Sequence, residues 1–219
     1  MLTVKDLGYW YDQQENSLFE NVNLSFSSGA SYAIVGQSGS GKTTFLSLIA
    51  GLDKPKAGTI SWENQAINKI GLTNYRQKHV AIVFQSYNLL TYMSPLNNLL
   101  TAMAITKSEH RGDKEFAKKM LRQLGITDEQ MTKNVQKLSG GQQQRVAIAR
   151  TMCCDAQIVV ADEPTGNLDE QNTEDVIRLF QEIAHQQGKC VIIVTHESEV
   201  AASCDHAYRL AHHVFTAEK

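Results

Sequence analysis

The sequence predicts an α/β fold: a mainly parallel sheet with helices, an antiparallel β region at the N-terminus and an inserted α-helical subdomain. Three observations predict it. Four short apolar runs, at residues 32–35, 80–84, 158–161 and 191–194, are rich in β-branched side chains and nearly continuous rather than alternating, the pattern of strands buried on both faces. Helical patterns fall between and after these runs, and strands separated by helices assemble into parallel sheets. From about residue 89 to 154 the strand signal vanishes, which predicts a helical subdomain inserted between core strands. No repeat, low-complexity tract or Pro/Gly/Ser-rich linker interrupts the 219 residues, so residues 1–219 are read as one domain, with its core at about 1–88 and 155–219 and its helical part at about 89–154.

Each element follows in order. Leu2 and Val4, then Val22, Leu24 and Phe26, alternate with polar residues, which predicts antiparallel strands within residues 2–26 beside the core. The run at 32–35 predicts a core strand, and 42–50 the helix that follows it. After the strand at 80–84 comes a long helical stretch from about 95 to 152, in which Phe116, Met120, Leu121 and Leu124 recur at helical spacing between Gly112 and Gly125. Strand 158–161, helix 172–185, strand 191–194 and a short helical piece after His196 complete the core. His212 and His213 are expected on a strand, where neighbours point to opposite faces and do not share a metal ion.

Composition excludes several classes. A formal net charge of -2, from 21 basic and 23 acidic residues without a long block of either sign, gives no electrostatic support for nucleic-acid binding. With 42% hydrophobic residues there is material for a sizeable core, yet no apolar run approaches the roughly 18 residues that span a bilayer. Residues 1–12 lack the basic-then-apolar order of a secretory signal, which predicts a cytoplasmic location. Cys153, Cys154, Cys190 and Cys204 show no C-x-x-C spacing and no accompanying histidine cluster; they are read as reduced, mostly buried small apolar residues.

The chemistry lies where apolar runs stop. Gly36-Gln37-Ser38-Gly39-Ser40-Gly41-Lys42-Thr43 satisfies G-x-x-x-x-G-K-[ST], after a predicted strand and at the start of a helix, as a phosphate-binding loop requires. Its glycines let backbone N–H groups turn inward around phosphates, Lys42 reaches the β- and γ-phosphates, and Thr43, followed by Thr44, offers a hydroxyl to Mg2+. The run at 158–161 ends in Asp162-Glu163, which places Asp162 to bind Mg2+ and Glu163 to act as general base toward a water. Gln85 and His196 stand at the ends of two further runs; singly each is an ordinary loop residue. Open parallel sheets, however, bind ligands at the carboxyl ends of their strands, so the four strand ends point to one shared phosphate site, with Gln85 sensing Mg2+ or water and His196 contacting the γ-phosphate.

Leu138-Ser139-Gly140-Gly141-Gln142 precedes another helical pattern. Ser139 and Gln142 fit a helix capping box, but two glycines inside it would weaken the first turn by about 1 kcal/mol each relative to Ala, so something besides helix stability is expected to select them. Flexible glycines and a serine at a helix N-terminus make a second anion site. A second subunit sharing the nucleotide explains why one chain carries two.

Taken together, the loop at 36–43, Gln85, the 138–142 signature, Asp162-Glu163, Gly166-Asn167-Leu168-Asp169 and His196 resemble, in order and over essentially the whole chain, an ABC transporter ATPase with a P-loop NTPase (RecA-like) core. The resemblance implies ATP and Mg2+ as ligands. It implies two copies facing head to tail, each ATP lying between one subunit's Gly36, Ser38, Gly39, Ser40, Gly41, Lys42, Thr43 and Thr44 and the other's Ser139, Gly140, Gly141 and Gln142. Asp169 would belong to the loop crossing between subunits, and Tyr11, next to Tyr9 and Trp10, would stack on adenine. Glu163, His196 and Gln85 would be catalytic, and Thr43, Gln85 and Asp162 would hold the metal. The segments at 163–169 and 51–55 are similar to the MacB-type and lipoprotein-releasing branch, while Gln37 and Glu197 depart from the common pattern without emptying a chemical role.

Membership of that branch implies a homodimer on the cytoplasmic side of the cell membrane, peripheral to separate permease subunits and, in the exporter case, a periplasmic or extracellular adaptor. The implied activity is ATP hydrolysis powering export of peptides or macrolides or release of lipoproteins; the alternative is a cell-division type module that signals through a permease without transport. The segment from Tyr87 to Met93 is expected to line the groove for a permease helix. DNA-repair and chromosome ATPases share the phosphate loop and signature but need a long coiled coil, and the roughly 100 intervening residues lack sustained heptads. A simple P-loop kinase would not need the 138–142 signature.

Overall fold

Strands β1 (Leu2–Trp10) and β2 (Ser17–Phe26) pair antiparallel, with Leu2 opposite Phe26 and Val4 opposite Leu24, so the alternation within residues 2–26 does report a hairpin with one buried face. The computed structural model describes residues 1–12, 14–166 and 168–218. After β2 come β3 (Ser31–Val35), α1 (Lys42–Ile49), β4 (Ala57–Trp62), β5 (Gln65–Ala66), α2 (Ile67–Ile70), α3 (Leu72–Lys78) and β6 (Val80–Val83). Helices α4 (Pro95–Thr106), α5 (Lys114–Gln123), α6 (Asp128–Thr132) and α7 (Gly140–Met152) follow. The chain closes with β7 (Ile158–Asp162), α8 (Glu170–His185), β8 (Cys190–Thr195), α9 (Ser198–Ser203), β9 (His206–Ala211) and β10 (Val214–Ala217).

Two sheets result. The larger has the order β10-β9-β3-β8-β7-β6, parallel from β9 to β6 with β10 antiparallel at the edge; the smaller, β2-β1-β4-β5, is antiparallel. The four apolar runs are the buried strands β3, β6, β7 and β8. Their alternate residues serve two cores: Ala33, Val35, Val159, Ala161, Val191 and Ile193 meet the helices α4, α5, α7 and α8, whereas Tyr32, Ile34, Ile158, Val160, Ile192 and Val194 meet α1 and the antiparallel sheet. A strand covered on both faces has no polar side to alternate, which is why these runs read as continuous.

The structure corrects two expectations and adds one strand that the sequence did not signal. The helical stretch from 95 to 152 is four helices and a 3-10 turn at Val135–Lys137, each newly capped: Ser94 with Pro95 starts α4, Asp113 starts α5, and Thr127 and Ser139 form reciprocal capping boxes with Gln130 and Gln142. The apolar spacing runs on because every helix faces the same core, and caps rather than periodicity mark the breaks. Second, β4 joins the antiparallel sheet on the other edge of β1, Trp62 opposite Leu2; only Ile60 and Trp62 of this strand are buried, too short an alternation to register in sequence. Third, His212 and His213 are not on a strand. They form the two-residue turn between β9 and β10, with φ of 48° and 67°, the left-handed pair of a type I′ hairpin.

All four cysteines are buried, and burial pushes the Cys153 and Cys190 thiols up to about 12. Among the described residues, no helix is long and apolar enough to cross a membrane.

Candidate nucleotide site

At the carboxyl end of β3 the chain turns sharply into α1. Gly39 and Gly41 take φ of 78° and 103°, where a side chain would be strained, and Gly41 is the N-cap of α1 with no side chain capping it. The helix therefore presents its first turn to the loop as an anion-attracting end. Lys42 is 6% exposed and its Nζ folds back on the loop, donating to the Gly36 carbonyl at 2.8 Å and the Gln37 carbonyl at 3.0 Å. Ser40 Oγ is buried inside the loop without a hydrogen-bond partner. Gly36 serves packing more than phosphate: a Cβ there would lie 2.5 Å from the Leu210 carbonyl of β9.

Two neighbouring strand ends complete the site. The Thr43 hydroxyl donates to Asp162 Oδ1 at 3.2 Å, and burial raises the Asp162 carboxyl above its ordinary value against the lowering effect of that bond. Glu163 leaves β7 with φ of 44°, a left-handed residue at a functional turn, while its N–H donates to the Val194 carbonyl of β8. Its Oε2 lies 2.9 Å from His196 Nδ1, so a proton on that nitrogen joins ring and carboxylate. Beyond His196, the Thr165 hydroxyl donates to Glu197 Oε1 at 2.9 Å, so the departure at Glu197 fills a structural role that its position in the motif did not signal.

Gly39, Gly41, Lys42, Thr43, Glu163 and His196 line one cavity of about 640 Å³, together with Tyr11, Leu18, Ser38, Thr44 and Gln85, a volume in the range of small-molecule sites; Gly36, Ser40 and Asp162 are not on its lining, Asp162 reaching it through Thr43. Of the three neighbouring aromatics, Tyr11 is the one on the cavity, 64% exposed, its hydroxyl 3.0 Å from Thr44 Oγ1. Tyr9 is buried and donates to Asp53, a bond that lifts its own phenol to about 12. Leu18, on β2, also faces the cavity, and nothing in the sequence distinguished it from other strand residues.

Ser139, Gly140, Gly141, Gln142 and Asp169 are elsewhere. Asp169 caps α8, accepting from the Asn172 N–H, which holds its carboxyl below the ordinary value, and lines a separate cavity of about 580 Å³ with Arg145 and Asn172. At α7 the capping box is closed: Ser139 Oγ accepts from the Gln142 N–H and Gln142 Oε1 from the Ser139 N–H. Something besides helix stability does bear on Gly141: a Cβ there would sit 2.6 Å from Asn172 Oδ1 of α8, so the close approach of this side chain favours glycine, a packing reason beside the expected anion site. Asn167, in the loop the resemblance assigns to the subunit crossing, lies outside the described residues.

A family model described as ABC transporter matches residues 19–166. The chain belongs to the ABC transporter ATPase family. It is 50% identical over 219 residues to the uncharacterized ABC transporter ATP-binding protein YclH of Bacillus subtilis (strain 168), covering 100% of this chain and 97% of that one. It is 36% identical over 200 residues to the lipoprotein-releasing system ATP-binding protein LolD of Francisella tularensis, covering 89% and 85%. Among solved structures, it superimposes on the dimeric post-hydrolysis state of the ATP-binding cassette MJ0796 bound to ADP and Pi with a TM-score of 0.88 and 32% identity, over 100% of this chain and 98% of that one. As a member of this family the chain is an ATP-binding, ATP-hydrolysing cassette.

Proposed function

We propose that this cassette works as a magnesium-dependent homodimer that drives a separate membrane permease, of the lipoprotein-releasing and MacB-type branch, in extracting or exporting amphipathic cargo. The observation that carries the chemistry is the Glu163 carboxylate held 2.9 Å from His196 on a cavity that also contains Lys42, Thr43 and Gln85. The residues fit a magnesium nucleotide: Ser40 Oγ is buried and unpartnered, and Asp162 is a half-buried carboxylate beside Glu163 whose raised pKa a cation would relieve. Thr43, Gln85 and Asp162 would hold the ion, which when bound neutralises phosphate charge.

The chain's own groups do the rest. Lys42 exchanges its two loop carbonyls for phosphate oxygens, and the inward N–H groups of 38–44 orient the phosphates. Tyr11 stacks on the base. Glu163 accepts the proton of the attacking water, with His196 fixing the carboxylate and contacting the γ-phosphate, a contribution of about 100- to 10,000-fold in rate. The N-terminus of α7, at Ser139 to Gln142, and Asp169 face the nucleotide of the second copy, which is why they stand outside this chain's own cavity. In Glu163→Gln, nucleotide binding should persist, turnover should stop, and size-exclusion chromatography with light scattering should show an ATP-dependent dimer. Wild-type turnover in that variant overturns the base assignment.

Residues 89–154 are proposed to act as the helical unit that meets the permease. Ile105, 65% exposed, lines a shallow groove with Met93, Leu100 and Ala104; of the segment from Tyr87 to Met93 only Met93 is on it, and Tyr92, 74% exposed, is the next residue along the chain. The 36% identity to LolD supports the branch, and cargo choice is assigned to the permease. The identity of the membrane protein that co-purifies with the chain checks this, and Tyr92→Asp should abolish its recovery.

A further inference from the structure

Helix α7 sends polar side chains to the loops around the nucleotide site. Gln144, fully buried, donates through Nε2 to the Pro164 carbonyl at 2.7 Å, just beyond Glu163; Arg145 donates to Asn172 Oδ1 at 2.7 Å. Arg150, near the far end of the helix, donates to two consecutive main-chain carbonyls, Asn88 at 2.5 Å and Tyr87 at 3.0 Å. Those two residues both have left-handed backbones, φ 62° at Tyr87 and 45° at Asn88. Asn tolerates this region, but a bulky Tyr there is strained and persists only where its surroundings over-determine it. The corner lies two residues beyond Gln85, whose amide is close enough to the turn after Glu163 that a Cβ on Gly166 would be 3.5 Å from its Nε2. On its other side the segment is held to α4, where Asn98, 2% exposed, accepts from the Leu90 N–H and donates to the Leu90 carbonyl.

We propose that Arg150 is a positioning residue: its planar guanidinium holds the Tyr87–Asn88 corner in its left-handed form and so sets Gln85 over the nucleotide site, tying the position of Gln85 to the helix that carries the 139–142 signature. Two donors in a fixed fork orient two successive peptides at once, which a lysine ammonium, a point charge on a flexible stem, does not do. The bond runs between residues more than sixty positions apart, so movement of α7 relative to the core is felt at Gln85 without any contact to nucleotide. The assignment rests on the ATPase reading for its consequence in turnover, but not for its consequence in backbone order.

The test uses Arg150→Met, Arg150→Lys and the double variant R150M/Y87G in the full chain. Affinity for a fluorescent ATP analogue should stay within about twofold of wild type in all three, because the phosphate loop is untouched, while kcat of R150M falls about ten- to a hundredfold. R150K should fall nearly as far. Glycine adopts φ near 60° without strain, so Y87G in the R150M background should recover part of the lost kcat. Amide hydrogen exchange should quicken at residues 86–93 in R150M and remain unchanged in α1 and β7. If R150M does not fold, R150K and R150K/Y87G carry the same comparison. Wild-type kcat in R150M or R150K, a further loss on adding Y87G, or faster exchange spread over the whole chain each overturn the proposal. Absence of turnover in the wild-type chain would instead count against the ATPase reading, and the exchange pattern would still decide the role of Arg150.

Discussion

The phosphate-loop cavity and the signature at the start of α7 are both helix N-termini proposed to meet nucleotide phosphate, yet they are left in opposite states by the fold. At α1 the N-cap is a glycine, the lysine is parked on carbonyls of its own loop, and Ser40 Oγ has no partner. At α7 the cap is closed by reciprocal Ser139 and Gln142 bonds, and Gly141 packs against Asn172. The first region is open toward a ligand; the second is satisfied within the chain. In the proposed dimer the satisfied groups would reach a partner's nucleotide as a rigid surface, whereas the open cavity would be completed by the ligand itself.

Substitutions sharpen this contrast, beginning with the largest effect. Lys42→Ala should weaken nucleotide binding about a hundredfold, since hydrogen bonds to charged groups contribute about 1.5–3 kcal/mol each, with little change in melting temperature; isothermal titration and thermal unfolding separate the two. Gly141→Ala should do the reverse, destabilising the chain by about 1–3 kcal/mol through the overlap with Asn172 while the monomer still binds nucleotide, as denaturant midpoints would report. A monomer that tolerates alanine there would mean the signature is not packed as described.

Tyr11→Ala should weaken ATP about tenfold and Tyr11→Phe scarcely at all, because ring stacking contributes about 1–3 kcal/mol and the Thr44 contact is exposed. Smallest is an acid effect on the strand that feeds the phosphate loop. Burial pushes the Asp205 carboxyl up, but hydrogen bonds from the N–H and hydroxyl of Ser31, where β3 begins, and from His185 hold it at about 2, below the unfolded value of 3.8. A depressed carboxyl stabilises above the unfolded value and loses that contribution as pH falls toward 2. Asp205→Asn should therefore flatten the acid limb of a stability profile between about pH 4 and 2, modestly because the pair is partly exposed.

Much of the first region was legible because it is local: a buried strand, a glycine turn and a helix start occupy consecutive positions, and the motif states their conformations. Gln85 and His196 were found by a regularity of position, the end of an apolar run, rather than by any neighbouring residue. The signature was legible as a motif, and so was the expectation that more than helix stability selects its glycines; the packing at Gly141 was not, since the Asn172 side chain that crowds a Cβ there belongs to another helix. The four helices within 95–152 and the turn at His212 and His213 were missed for a related reason: periodicity reports which face is buried and says little about where the backbone breaks.

By itself, then, the sequence determined the buried strands, the helix that follows the phosphate loop, the chemical identity of the site's groups and the family to which they belong, because burial pattern and motif spacing are written in consecutive residues. Only the tertiary structure decided that β3 lies between β8 and β9, that Glu163 meets His196, that Tyr11 rather than Tyr9 reaches the cavity, and that Arg150 holds the corner after Gln85. Those outcomes depend on register, backbone strain and the reach of single side chains between distant elements, and no local pattern of residues specifies them.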